Sequence, residues 1–132
     1  MTPNDRPAGL LVTHAALGTE LLRTVECILG AQTDVDVLSN DAYSGEALSR
    51  AIEEHLRRIT PAGRSVVIFT DLAAGSCGIA TRHADPCGRA VRKVTGVNLP
   101  MLLEFFHYRD TLPLDELLPR LEAKGKAGIT VT

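Results

Sequence analysis

His14 follows directly on the short apolar run Gly9–Thr13 (GLLVT), and Asp71 follows directly on Ser65–Thr70 (SVVIFT), the strongest apolar run in the chain. An imidazole can attack as a nucleophile or serve as a base when one ring nitrogen keeps its proton and the other presents a lone pair. A carboxylate is well suited to fixing that tautomer. Asp71 is the natural partner if its strand lies beside the one that carries His14. Gly75 and Ser76 come next, just ahead of a helical pattern. A turn of that kind can offer backbone N–H groups and a hydroxyl to an anion at a helix N-terminus.

Imidazole, carboxylate and anion cradle together suit transient phosphoryl transfer on His14. The same groups suit hydrolysis with Ser76 as nucleophile. Against hydrolysis, the chain has no G-x-S-x-G elbow, and His14 lies upstream of Asp71 and Ser76 in an order foreign to the usual hydrolase layouts. There is also no G-x-x-x-x-G-K-[ST] segment, which disfavours nucleotide-driven transfer.

The remaining histidines and the cysteines carry less. His55 lies on a helical pattern facing partly inward, His83 ends a short helical pattern, and His107 follows Phe105 and Phe106, where it can flank the site. Cys27 falls among apolar residues on a helical pattern and is expected in the core. Cys77, His83 and Cys87 supply three zinc-type ligands, but without a clear fourth and at a spacing unlike the common zinc ribbons, so no metal site is expected there. Three cysteines at irregular spacing do not form a disulfide framework.

The elements that must position these groups alternate in period. After the first apolar run, Leu17, Leu21, Leu22, Val25, Ile28 and Leu29 recur three and four apart, predicting a helix over 17–29 that Gly30 stops. Asp34–Leu38 alternates as a strand nearer an edge. Ser44 opens a second helix with an apolar stripe through Ala47, Leu48, Ala51, Ile52, His55, Leu56 and Ile59, ended by Pro61 and Gly63. The run Ser65–Thr70 reads as a strand covered on both faces. A short helix near 76–84 and a charged strand over 89–95 follow. Pro100 suits the first turn of the next helix. Leu114–Lys124 forms another helix closed by Gly125, and Ala127–Val131 (AGITV) reads as a short last strand. This rhythm implies one domain over residues 1–132, built on an open, mostly parallel sheet with helices on both faces. In such sheets ligands gather beyond the carboxyl ends of the strands where strand order reverses.

Sixteen acidic and fourteen basic residues give a formal charge of −2, so no broad basic face suggests nucleic acid. Apolar runs of about five to seven residues fall far short of the roughly twenty that span a bilayer. Residues 1–8 lack the basic and apolar regions of a secretory signal. The chain is therefore expected to be soluble and cytoplasmic.

Three segments resemble the enzyme IIA domain of the mannose family of the bacterial phosphoenolpyruvate-dependent sugar phosphotransferase system. These are L-V-T-H at 11–14, T-D-L-A-A-G-S-C at 70–77 (similar to the family's T-D-L-x-G-G-S-P) and G-V-N-L-P-M-L-L-E at 96–104. The likeness spans residues 9–130. It implies that His14 takes a phosphoryl group from the phosphohistidine of HPr and gives it to a IIB component. It also implies that Asp71 orients the imidazole and that Ser76, with Gly75, holds the phosphoryl oxygens. No metal, nucleotide or other cofactor is implied, and the membrane enters only through IIC and IID partners. The resemblance further implies a three-layer, five-stranded sheet, four strands parallel and the C-terminal one antiparallel and exchanged across a homodimer.

Three positions depart from the family pattern, which usually has glycine where Ala15 and Ala74 stand and proline where Cys77 stands. Alanine at 74 resists positive φ, which predicts a tighter or reshaped cradle. A regulatory module, phosphorylated on His14 but acting through protein contacts, is the alternative within this resemblance. The phosphotransfer subunit that serves dihydroxyacetone kinase is a further one, disfavoured by the G-V-N-L-P-M segment.

Overall fold

The computed structural model describes residues 6–60, 64–82 and 90–132. The strands are β1 (Ala8–Thr13), β2 (Val35–Ser39), β3 (Val66–Thr70) and β4 (Val91–Thr95). The helices are α1 (Leu17–Leu29), α2 (Gly45–Ile59), α3 (Gly75–Arg82), α4 (Leu99–Tyr108) and α5 (Leu114–Ala127). The strands form one sheet in the order β2-β1-β3-β4, every pair parallel. The two central strands are buried along their whole length, as their unbroken apolar runs require when helices cover both faces.

Side chains alternate across the sheet and divide the core in two. Leu10, Val12, Val66 and Ile68 pack against Leu48, Ile52 and Leu56 of α2 and Cys77 and Ala80 of α3. Leu11, Val67 and Phe69 meet Val25 of α1, Met101, Leu102, Phe105 and Phe106 of α4, and Leu117 and Leu121 of α5. The edge strand β4 carries Arg92 and Lys93 exposed, charges that discourage pairing along a free edge.

The expected fifth strand is absent: the sheet ends at β4 with all four strands parallel, and residues 128–132 form no strand. The reason begins at Gly125, which continues α5 rather than closing it. It is buried, and a Cβ there would lie 2.8 Å from the Met101 Cε, so its lack of a side chain lets α5 pack closely on α4. The Asn98 side chain bridges the two helices: its Oδ1 accepts from the Met101 N–H (3.1 Å), and its Nδ2 donates to the Gly125 carbonyl (2.9 Å). With α5 running to Ala127, the tail has only Ile129 and Val131 as large apolar residues, 74% and 96% exposed. That burial is too small to repay ordering a strand. The antiparallel strand on which exchange across a homodimer depends is therefore missing.

Cys27 is also a correction. It is exposed, because α1 buries Val25, and two residues further on the helix has turned through about 200°. Pro61 and Gly63, expected to stop α2, lie outside the described residues, as do His83 and Cys87.

Arg109, 1% exposed, ties α4 to the amino end of the sheet. It donates to the carbonyls of Asp34 (3.2 Å) and Thr33 and to Gln32 Oε1 (3.3 Å), and its guanidinium lies 4.9 Å from the Phe106 ring centre. Burial, reinforced by the neighbouring Arg6 cation, lowers its pKa to about 10, so it stays charged at neutral pH. Arg109→Ala strands these carbonyls and empties a buried volume, and should cost roughly 2–3 kcal/mol. Thermal unfolding should show it as a midpoint lowered by about 10 °C.

Candidate functional site at the carboxyl ends of the strands

Strand order reverses between β1 and β3, since β1 leads to β2 on one side and β3 to β4 on the other. His14 and Asp71 are the first residues beyond those two neighbouring strands. The register pairs Val12 with Thr70, which brings the two side chains over one crevice.

The turn after β1 is tight. The Thr13 Oγ1 accepts from the Gly18 N–H at 2.7 Å and so satisfies a donor in the first turn of α1 that Ala16, at the N-cap, leaves free. A Cβ at Gly18 would sit 2.8 Å from the same hydroxyl oxygen, which accounts for glycine there. Between strand and helix the chain turns through Ala15 at φ +49°, in the left-handed region. The departure that carries strain is thus Ala15. Ala74 is not among the described non-glycine residues with positive φ, and Gly75, at φ +90°, takes that conformation. Left-handed alanine costs about 1–2 kcal/mol, partly offset by glycine's greater freedom in the unfolded chain. Ala15→Gly should therefore stabilise the fold by about 0.5–1 kcal/mol, a rise of a few degrees in the thermal midpoint.

Asp71 holds His14 twice. Its Oδ2 accepts from the His14 backbone N–H at 2.9 Å, and its two oxygens lie 2.9 and 3.2 Å from the His14 Nδ1. A carboxylate only accepts, so Nδ1 carries the proton and Nε2 presents its lone pair. Burial on its own would raise the Asp71 pKa. The hydrogen bonds from the His14 backbone and ring, and the charge interaction with that ring, more than offset it and hold the carboxyl below its ordinary range. The Asp71 side chain is 11% exposed and that of His14 36%, so the orienting acid is covered while the ring opens outward.

On the other side of the ring, the Ser76 Oγ lies 3.3 Å from Nε2. Gly75 packs against the imidazole: a Cβ there would be 3.4 Å from Cε1 and 3.5 Å from Nε2. The four residues singled out in the sequence, His14, Asp71, Gly75 and Ser76, thus lie together. Asn40, which the sequence reading did not single out, joins them. Its Nδ2 donates to the Ser76 Oγ (3.3 Å), and its Oδ1 accepts from the Ala15 N–H (3.1 Å), linking the two loops. Its signal was positional, as it directly follows β2 at the same end of the sheet.

The other histidines stand apart. His55 bonds Asp36 on β2 through Nδ1, with Arg58 on the same carboxylate. His107 does not flank the site. It lies two residues before Arg109, which reaches the Pro7 carbonyl at the far end of β1, about 17 Å away along the strand. Cys77 is buried behind Ser76. Burial first, and then the Asp71 charge, push its thiol up, so the free group is a poor nucleophile. A His14 ring nitrogen, an Asp71 oxygen and the Cys77 Sγ lie within 4.8 Å of one another, a set able to hold a metal ion.

Among the described residues no helix is long and apolar enough to cross a membrane. The family model EIIA-man, described as the PTS system fructose IIA component, matches residues 9–122. The mannose-specific EIIAB component of the phosphotransferase system from Escherichia coli K12 is 29% identical over 120 residues. That alignment takes in 89% of this chain but only 36% of the relative, so the chain spans about a third of the relative's length. Two solved structures share the fold. The mannose/sorbose-specific IIA subunit from Enterococcus faecalis has a TM-score of 0.77 at 24% identity, over 96% of this chain and 95% of that one. The PTS IIA protein associated with the fucose utilization operon of Streptococcus pneumoniae has a TM-score of 0.79 at 20% identity, over 98% and 96%. With a match that runs from β1 into α5 and includes His14, Asp71 and Ser76, this chain belongs to the EIIA-man family of phosphotransferase-system IIA components.

Proposed function

We propose that the chain is a phosphohistidine carrier that accepts a phosphoryl group on the Nε2 of His14 from phospho-HPr and passes it to a IIB component. The observation that carries this reading is the line Asp71–His14–Ser76. One ring nitrogen is held by a carboxylate, and the other faces a hydroxyl at the mouth of the crevice. The Nε2 lone pair attacks the phosphorus of the donor phosphohistidine, whose P–N bond breaks as the new P–N bond forms. The Nδ1 proton stays on His14 throughout, shared with Asp71, and stabilises the charge that develops on the ring. Ser76 accepts from Asn40, and its O–H, which donates to the Nε2 lone pair in the resting site, turns to a phosphoryl oxygen as that lone pair attacks. Donor and acceptor would both be phosphorylated proteins, so the transfer runs nearly level in free energy and needs a positioned site more than a powerful one.

Incubation with enzyme I, HPr and labelled phosphoenolpyruvate tests the reading. One acid-labile phosphate per chain should appear, mapped to His14. Label that is absent, or that resides on another residue, would remove it.

A further inference from the structure

We propose that His14, Asp71 and Cys77 form a binding site for a borderline-soft divalent cation, zinc above all, in competition with phosphorylation. The three offer one imidazole nitrogen, one carboxylate oxygen and one sulfur, all within 4.8 Å of one another. Zinc takes these donors at about 2.0–2.3 Å, which places tetrahedral ligands roughly 3.3–3.8 Å apart. The three donor atoms lie within 4.8 Å of one another, so drawing them to tetrahedral ligand spacing takes movements of about 1 Å.

Charge and solvation favour the same ion. A carboxylate, a thiolate and a neutral imidazole sum to −2, which a divalent cation neutralises. Cys77 is fully buried, so the sulfur side is dry, while the half-exposed ring of His14 leaves the outer side open to water. Three protein ligands with a fourth position for water is the arrangement of an open zinc site. The soft sulfur disfavours magnesium and calcium. Cys77 stands where the family pattern has proline, so the third ligand is a property of this chain.

Binding involves no redox step: a metal–sulfur bond forms and the Cys77 thiol proton leaves to solvent. A metal on Nε2 occupies the accepting atom directly. A metal on Nδ1 moves the ring proton to Nε2 and removes the lone pair there. Either mode blocks phosphoryl acceptance, and this consequence rests on the function proposed above, whereas binding itself does not.

Cobalt(II) is the probe, added to the purified chain. One equivalent should give the near-ultraviolet sulfur-to-cobalt band and the strong visible bands of a four-coordinate site, and zinc should displace it. Cys77→Ser should abolish the sulfur band and weaken binding at least tenfold. His14→Gln should weaken binding while keeping the chain folded by circular dichroism. Cys27→Ser, Cys87→Ser and His83→Ala should leave the spectrum unchanged. A missing sulfur band in the wild type, a band that survives Cys77→Ser, or one lost in Cys87→Ser or His83→Ala would overturn the proposal. In the phosphorylation assay zinc should suppress labelling of the wild type, and a zinc-selective chelator should restore it; labelling untouched by saturating zinc would overturn the competition. A chain that takes no label even without zinc would count against the carrier role alone, since the cobalt spectra read independently of it.

Discussion

His14→Ala should take up no phosphate from phospho-HPr, a loss limited only by the sensitivity of the label. The substitution deletes the nucleophile, and the nearby groups cannot replace it. Ser76 has no base once the ring is gone, and the buried Cys77 thiol is held in its protonated form. The side chain is a little over one-third exposed and its backbone N–H bond to Asp71 does not depend on the ring, so the fold should survive. The check is phosphate incorporation per folded chain, with circular dichroism establishing the fold. A variant labelled as fully as the wild type would dismiss His14 as acceptor.

Asp71→Asn should slow transfer by roughly ten- to a thousandfold, the range expected when an orienting or general-base contact is lost. The carboxylate has two oxygens for three donors, the His14 backbone N–H and Nδ1–H and the Leu72 N–H. An asparagine has one. If its oxygen stays on the backbone, its amide N–H₂ faces Nδ1 and drives the ring proton to Nε2, where it occupies the attacking lone pair. Nitrogen chemical shifts of the ring report that tautomer directly, and an unchanged tautomer with an unchanged rate would show that Asp71 does not orient His14. Stability should follow pH in step. Because the Asp71 pKa is lower in the folded chain than in the unfolded one, the carboxylate stabilises the fold above the unfolded value of about 3.9, and this contribution disappears as pH falls through the lower folded value. The stability difference between wild type and Asp71→Asn should therefore be largest near neutral pH and narrow in acid, as denaturant titrations at several pH values would show.

Where local pattern and burial agree, the sequence is readable. The run through Val66–Thr70 becomes a central strand because both faces are covered, whereas the apolar spacing from Leu17 to Leu29 marks the bounds of α1 although Leu17, Ile28 and Leu29 stay exposed. The meeting of His14 and Asp71 was legible for a related reason: residues beyond the carboxyl ends of neighbouring parallel strands converge, and these two do. Failures occur where packing overrides local preference. Gly125 has the composition of a helix stop, but contact with Met101 makes it a helix interior. The segment Ala127–Val131 has a strand's residues, but the described residues leave Ile129 and Val131 exposed. Cys27 sits among apolar neighbours, yet the helix turns it outward. Asn40 escaped because a single asparagine in a loop has no pattern, and its role exists only once Ala15 and Ser76 are side by side.

The pairing of β1 with β3 also bears on when the protein becomes competent. His14 and the Asp71 carboxylate are 57 positions apart in the chain, and they meet only once β1 and β3 have paired. Loop closure over that distance is a late and entropically costly event in folding. A nascent or partly folded chain therefore exposes His14 without its tautomer fixed. On the function proposed above, phosphoryl uptake would double as a report that the long-range strand pairing has formed, and immature copies would not drain phosphoryl groups from the donor pool.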